Sequence, residues 1–237
     1  QKLYIQGLNK TLIDVLVNIT YLNGEKATFM LQADKDSQII PGQTSSFDVI
    51  KTYSILGIEH ILLGIDHLLF VLALILITKG KWKIIKTITA FTIAHSITLS
   101  LAALGYVSFP GAPVEAVIAL SIVFLAIELV HNLEGKQTLT SRKPWIVAFS
   151  FGLLHGFGFA GALSDIGLPQ QDIPLALAFF NVGVELGQIM FVVVVLLFLR
   201  IVNLKSNWPA YVKKIPAYAI GSIAAFWMIQ RVVAFWN

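Results

Sequence analysis

Residues 53–77 read YSILGIEHILLGIDHLLFVLALILI, and this stretch decides the fold. It is apolar for long enough to cross ~30 Å of hydrocarbon as a helix, which takes about 20 residues at ~1.5 Å each. Yet it carries Glu59, His60, Asp66 and His67. Ionisable groups at membrane depth cost about 3 kcal/mol each by insertion scales, so they face a bundle interior and a partner there. A membrane helix with a polar, inward-facing stripe is the reading from which the rest follows.

The remainder of the chain has the same character. Hydrophobic residues make up 57% and charged residues 13%, against about 45–50% and about 25% in a soluble domain. The mean hydropathy is +0.79. A soluble fold of this size could not cover so much apolar surface, and the same figures exclude disorder, coiled coil and collagen. Five further apolar stretches follow at 84–107, 114–131, 145–163, 173–199 and 215–236. The third and fourth stretches are short but within the usual range of ~17–25 residues. The chain therefore reads as an all-α membrane protein, a six-transmembrane helix bundle over 53–236, with the fifth helix tilted or broken near Asn181-Val182-Gly183. The absence of cysteine removes disulfides, thiolate metal sites, iron–sulfur clusters and cysteine nucleophiles.

The loops set the orientation. Lys79, Lys81, Lys83 and Lys86 lie between the first and second stretches, Lys136, Arg142 and Lys143 between the third and fourth, and Arg200, Lys205, Lys213 and Lys214 between the fifth and sixth. The loops 105–113 and 164–174 hold no basic residue, and the second carries Asp165 and Asp172. Basic loops stay cytoplasmic, so both termini are expected outside, in a bacterial inner membrane. This alternation accounts for the net charge of +4 without a nucleic-acid partner.

Residues 1–50 differ, with charged residues spaced among β-formers. Asp14 to Tyr21 has strand composition, Asn23-Gly24 is a turn dipeptide, and Ala27 to Gln32 can return as a second strand. A small β-rich extracytoplasmic segment is expected, or the end of a larger module. The chain begins with Gln rather than Met and has no signal peptide in view, as in a processed or trimmed form.

All five histidines, His60, His67, His95, His131 and His155, fall inside or at the ends of the apolar stretches. Counting ~1.5 Å per residue along straight helices, Asp66, His67, His95, His155 and Glu185 reach one level near the midplane from four helices. Neutral imidazoles with carboxylates suit a divalent first-row ion such as Ni²⁺, Co²⁺ or Zn²⁺. His60 lies a further ~10 Å toward the outside by the same rise, which reads as two stacked sites or as an entry ligand above the deep site, with Gly64 between them able to permit a kink. Gly152 and Gly156 form a G-x-x-x-G that lets another helix come close. Ser96, Thr98 and Ser100 read as backbone-bonded hydroxyls. Asn181 and Gln188 read as support for Glu185. Glu128 and His131 read as an interfacial polar pair, and Glu115 as a solvated surface residue.

These residues resemble a known family. His60-x5-Asp66-His67 is similar to the H-x5-D-H signature of the HupE/UreJ membrane proteins, and the resemblance extends to AFTIAHSITLSLAALG (90–105), APVEAVIALSIVFLAIE (112–128), FGLLHGFGFAGAL (151–163) and FNVGVELGQ (180–188). It implies nickel or cobalt permeation, with His60, Asp66 and His67 handling the metal. His155-Gly156 matches the family's second motif, F-H-G-x-A/V-H-G-x-E, in part. Leu154 replaces its Phe, and its second His and its Glu are missing. The chain looks like the second subgroup, which often bears an extracytoplasmic β-rich extension.

Two function classes follow. The first is a divalent-cation permease with its ligands at the midplane. It lacks the G-x-x-x-x-G-K-[ST] of nucleotide-driven pumps, so a gradient or a partner supplies its energy. The second is an intramembrane metal-dependent hydrolase with a three-histidine zinc-type site and Glu185 or Asp66 as general base. Bis-histidine haem ligation has no specific support. The expected partners are a metal ion and membrane lipid, with a second copy of the chain or another protein as further candidates.

Overall fold

The structure is a computed structural model. It describes residues 2–8, 15–21, 26–32, 37–39, 45–159, 172–203 and 209–235. The Asn23-Gly24 turn, Asp165, Gly161, Lys205, Trp208 and Trp236, on which parts of the sequence reading rest, lie outside the described residues.

The chain divides into two compact units, Gln1–Ser45 and Ser46–Asn237. The first holds four strands, β1 (Lys2–Tyr4), β2 (Val15–Thr20), β3 (Lys26–Leu31) and β4 (Ser37–Ile39). β2 and β3 pair antiparallel in the register Val15↔Leu31 to Thr20↔Lys26, and β1 pairs antiparallel with β4. Along β2 half-buried and exposed residues alternate, as the period of two requires.

The second unit is helical. Its elements are α1 (Ser46–Leu63), α2 (Ile65–Ile77), α3 (Lys81–Ala103), α4 (Gly111–Leu133), α5 (Leu139–Arg142), α6 (Pro144–Gly158), α7 (Ile173–Asn203) and α8 (Ala210–Val233). Its outer surface is apolar: Ile93, Ile97, Val182, Leu186, Val194, Leu197 and Phe226 are exposed, while His95, His155, Gln188 and Ser121 are fully buried. A water-soluble bundle has the opposite arrangement, because exposed apolar area is costly in water and free in lipid. Among the described residues, α3, α4 and Ile173–Val202 of α7 are long and apolar enough to cross a membrane, and α1 with α2 makes a fourth if the bent pair is one span. Length and apolarity by themselves thus support three or four crossings rather than the six predicted. The fourth predicted stretch appears as α6, 15 residues long. The sixth appears as α8, which mixes Lys213, Lys214, Ser222, Gln230 and Arg231 into its apolar residues.

Three helix pairs build the bundle: α3 with α6, α1 with α7, and α4 with α8. Glycine sets the two closest. A Cβ at Gly156 would overlap the Thr98 hydroxyl and the His95 carbonyl, and one at Gly152 would come within 2.6 Å of the Phe91 carbonyl. A Cβ at Gly183 would likewise overlap the Ser54 carbonyl of α1. α2 runs among these pairs and touches α1, α3, α4, α7 and α8. One apolar core gathers Phe70, Leu74, Phe91, Ile122, Leu125 and Ala148, and a second gathers Tyr53, Ile61, Leu99, Leu177, Phe180 and Val184.

The three basic loops share one end of the bundle. Lys86 near the start of α3 lies over the Trp145 ring at the start of α6, 5.1 Å from its centroid. Lys214 at the start of α8 reaches Glu134 at the end of α4 at 2.9 Å, and Lys136 reaches the same carboxylate at 3.0 Å.

Candidate metal centre

The break between α1 and α2 creates the site. A 72° bend separates the two helices, and Gly64 at the joint has φ −76° and ψ 90°. A side chain is excluded there: a Cβ would lie 2.8 Å from the His60 carbonyl and 2.9 Å from His67 Nδ1. A straight helix would carry His60 and His67 ~10 Å apart along its axis. The bend folds them together instead, with ring centroids 4.7 Å apart. The expectation of His60 as a separate outer ligand is therefore corrected, because it assumed an unbroken helix. The predicted break in the fifth stretch is corrected as well. α7 is continuous through Asn181-Val182-Gly183, since Gly183 serves the approach to α1 and the Asn181 amide donates back to the Leu177 carbonyl at 2.7 Å.

His95 of α3 joins the two, its ring 5.8 Å from His60 and 6.0 Å from His67. One ring nitrogen from each of His60, His67 and His95 lies within 4.8 Å of the others. His67 Nδ1 donates to Asp66 Oδ1 at 3.0 Å, and the same oxygen accepts the His67 backbone N–H at 2.8 Å. The carboxylate can only accept here, so it fixes the tautomer and turns the lone pair of Nε2 toward the other two rings. Asp66 also sits in the first turn of α2, where its charge offsets the positive end of the helix dipole that would otherwise repel a cation.

The donor set fits a transition-metal ion. His60 Nε2, His67 Nε2 and both ring nitrogens of His95 are buried without a hydrogen-bond partner. Each such orphaned group costs about 1–3 kcal/mol, and a cation shared by three imidazoles would satisfy one nitrogen on each ring. Metal–imidazole bonds of about 2.0–2.1 Å hold two nitrogens at most about 4 Å apart, so a small ring rotation closes the set. Phe159 lies against His60 at 3.9 Å between centroids and stacks on Phe180, while Phe91 lies 6.1 Å from His95. These rings exclude water and leave neutral nitrogen donors as the principal polar groups facing the centre. Such a set suits a transition-metal ion better than Mg²⁺ or Ca²⁺, which take oxygen ligands.

The other residues singled out in the sequence are distributed around this centre. His155 is fully buried, 5.1 Å from the His67 ring, with Nε2 3.1 Å from the Ser121 hydroxyl. It packs against the triad but is not one of the three grouped nitrogens. Glu185 accepts from the Thr89 hydroxyl at 2.6 Å, and Gln188 from Thr92 at 2.9 Å. Thr89 is six residues from His95 along α3, about 9 Å by helix rise, so Glu185 belongs to a polar seam between α3 and α7. Asn181 lies against His95. Ser96 and Thr98 bond back to the carbonyls of Thr92 and Ala94. Glu128 accepts the Thr140 backbone N–H at 2.8 Å and so anchors the turn at α5. Glu59 is exposed. Glu115 pairs with Arg231 at 3.0 Å. Ser121, Thr89 and Arg231 were not singled out in the sequence, and no spacing rule could have found them, since each partner lies on another helix.

A family model described as HupE / UreJ protein matches residues 35–231. No curated protein and no solved structure matches the chain.

Proposed function

Because the chain belongs to the HupE/UreJ family, we propose that it is an integral-membrane permease for a divalent transition-metal ion of the nickel and cobalt type. The cation is the substrate. The observation that carries the reading is the broken helix: α1 and α2 are bent by 72° at Gly64, and the bend brings His60 and His67 together beside His95. Transporters place substrate sites near the midplane, where discontinuous helices and their termini meet. His60, His67 and His95 hold the ion, Asp66 orients His67, and His155 shapes the wall.

The six helices α1–α2, α3, α4, α6, α7 and α8 then each account for one crossing, in the order the hydropathy predicts. The end bearing Lys86, Lys136 and Lys214 faces the cytoplasm by the positive-inside rule. Both termini lie outside, and the strand segment of residues 1–50 is extracytoplasmic. Movement is driven by a gradient or a partner.

The hydrolase reading is less favoured by the geometry, because the two candidate bases are engaged elsewhere: Asp66 with His67, and Glu185 with Thr89. The test is uptake into reconstituted vesicles loaded with a metal-sensitive dye, with Ni²⁺, Co²⁺ and Zn²⁺ in turn. Protein-dependent influx that vanishes in His67→Ala supports the permease. No influx of any of the three, alongside an ion held through extensive dialysis, would favour the hydrolase.

A further inference from the structure

A cavity of about 200 Å³ reaches the candidate metal centre from the bundle end opposite Lys86, and its lining includes His60, Asp66, His67 and His155 at one side and Glu115 and Arg231 at the other. Glu115 stands one turn into α4 and Arg231 near the end of α8, so their contact at 3.0 Å spans the cavity's rim. Arg231 has a second partner. Its guanidinium lies over the Trp227 ring, 5.7 Å from the centroid, one turn back on α8.

We propose that the Glu115–Arg231 ion pair is a cation-exchange gate at the mouth of this cavity. An arriving divalent cation takes the Glu115 carboxylate, and Arg231 stays on Trp227, over whose ring it already lies. The inference rests on the reading of the three-histidine site as a cation site. Three features of the pair suit the role. Side chains 28% and 51% exposed form a weak, screened pair, which a doubly charged ion displaces readily. Trp227 holds the freed guanidinium by its π face, so exchange does not strand the charge. Among the described residues, the carboxylate is the one negative group on the rim side of the lining. It offers a hard oxygen where a hydrated ion arrives, before the imidazoles replace its water.

The two partners therefore act with opposite sign. Arg231→Gln removes the competing cation and leaves the carboxylate free, whereas Glu115→Gln leaves an unpaired cation facing the incoming ion. Stopped-flow absorbance of Co²⁺ binding to the detergent-solubilised full chain reads both. Association is expected to rise several-fold in Arg231→Gln at low ionic strength and to fall several-fold in Glu115→Gln. Both differences should shrink as salt screens the rim. Arg231→Lys keeps the charge and should stay near the wild-type rate.

A pair that only ties α4 to α8 would lower thermal stability alike in both Gln variants and leave association unchanged. That result overturns the gate. Should either Gln variant fail to fold, Trp227→Leu provides the same test, since removing the resting place should slow association. An unchanged rate there overturns the gate as well. Absence of any Co²⁺ binding by the wild type would overturn the site reading itself, and the gate with it. Binding at equal rates in every variant overturns the gate alone.

Discussion

Asp66 hydrogen-bonds the His67 ring, and that contact defines its work. It holds the imidazole in the tautomer whose free nitrogen faces His60 and His95. Asp66→Asn should weaken cation binding about 10–100-fold, as loss of such an orienting partner does elsewhere, without altering helix content. Competition against a chelating dye measures it, and unchanged affinity would show that His67 needs no such support. Gly64→Ala acts on the same ring, since its Cβ would press on His67 Nδ1. The candidate ligands were legible in the sequence, because histidine at membrane depth is conspicuous. The depth shared by His67 and His95 was legible too, but the place of His60 beside them was not. Counting rise along an unbroken helix separates His60 from His67, and only the turn at Gly64 reverses that.

At the scale of elements, the α3–α6 pair depends on two glycines. Gly156→Ala forces α6 away from the His95 carbonyl, which is backbone and cannot yield. Overpacking of this kind costs about 1–3 kcal/mol. Gly158→Ala meets only the terminal methyl of Ile118 at 2.7 Å, which can rotate, so it should be tolerated. Thermal melts of the two variants in one detergent should separate them clearly, and equal melting would refute the close approach. α4 and α8 pack through a shared apolar core and carry an electrostatic tie at one end. Hydrogen bonds from Lys214 and Lys136 hold the Glu134 carboxyl at about 2, well below the usual carboxylate range. A carboxylate depressed on folding stabilises fully above its unfolded pKa and loses that effect as pH falls toward the folded one. The melting difference between wild type and Glu134→Gln should thus stay constant down to about pH 5 and close between about pH 4.5 and 2. Hydropathy found the helices themselves, because apolar length is a strong signal. The continuity of the fifth depended on Gly183 meeting the backbone of α1 at Ser54, a partner outside that stretch, and the break in the first came at a glycine that hydropathy reads only as permissive.

Cysteine placed at Ser108 should react with an impermeant reagent in intact cells, and cysteine at Lys83 should not, because the basic loops stay inside. The reverse pattern would invert the gate as well as the topology. The centre is the more direct test. X-ray absorption of the purified chain loaded with Zn²⁺ should report one ion with three imidazole nitrogens at about 2.0–2.1 Å, and His60→Ala, His67→Ala and His95→Ala should each remove one imidazole from its shell. An ion bound with that signature intact in all three variants, or no bound ion in the wild type, would contradict the three-histidine centre.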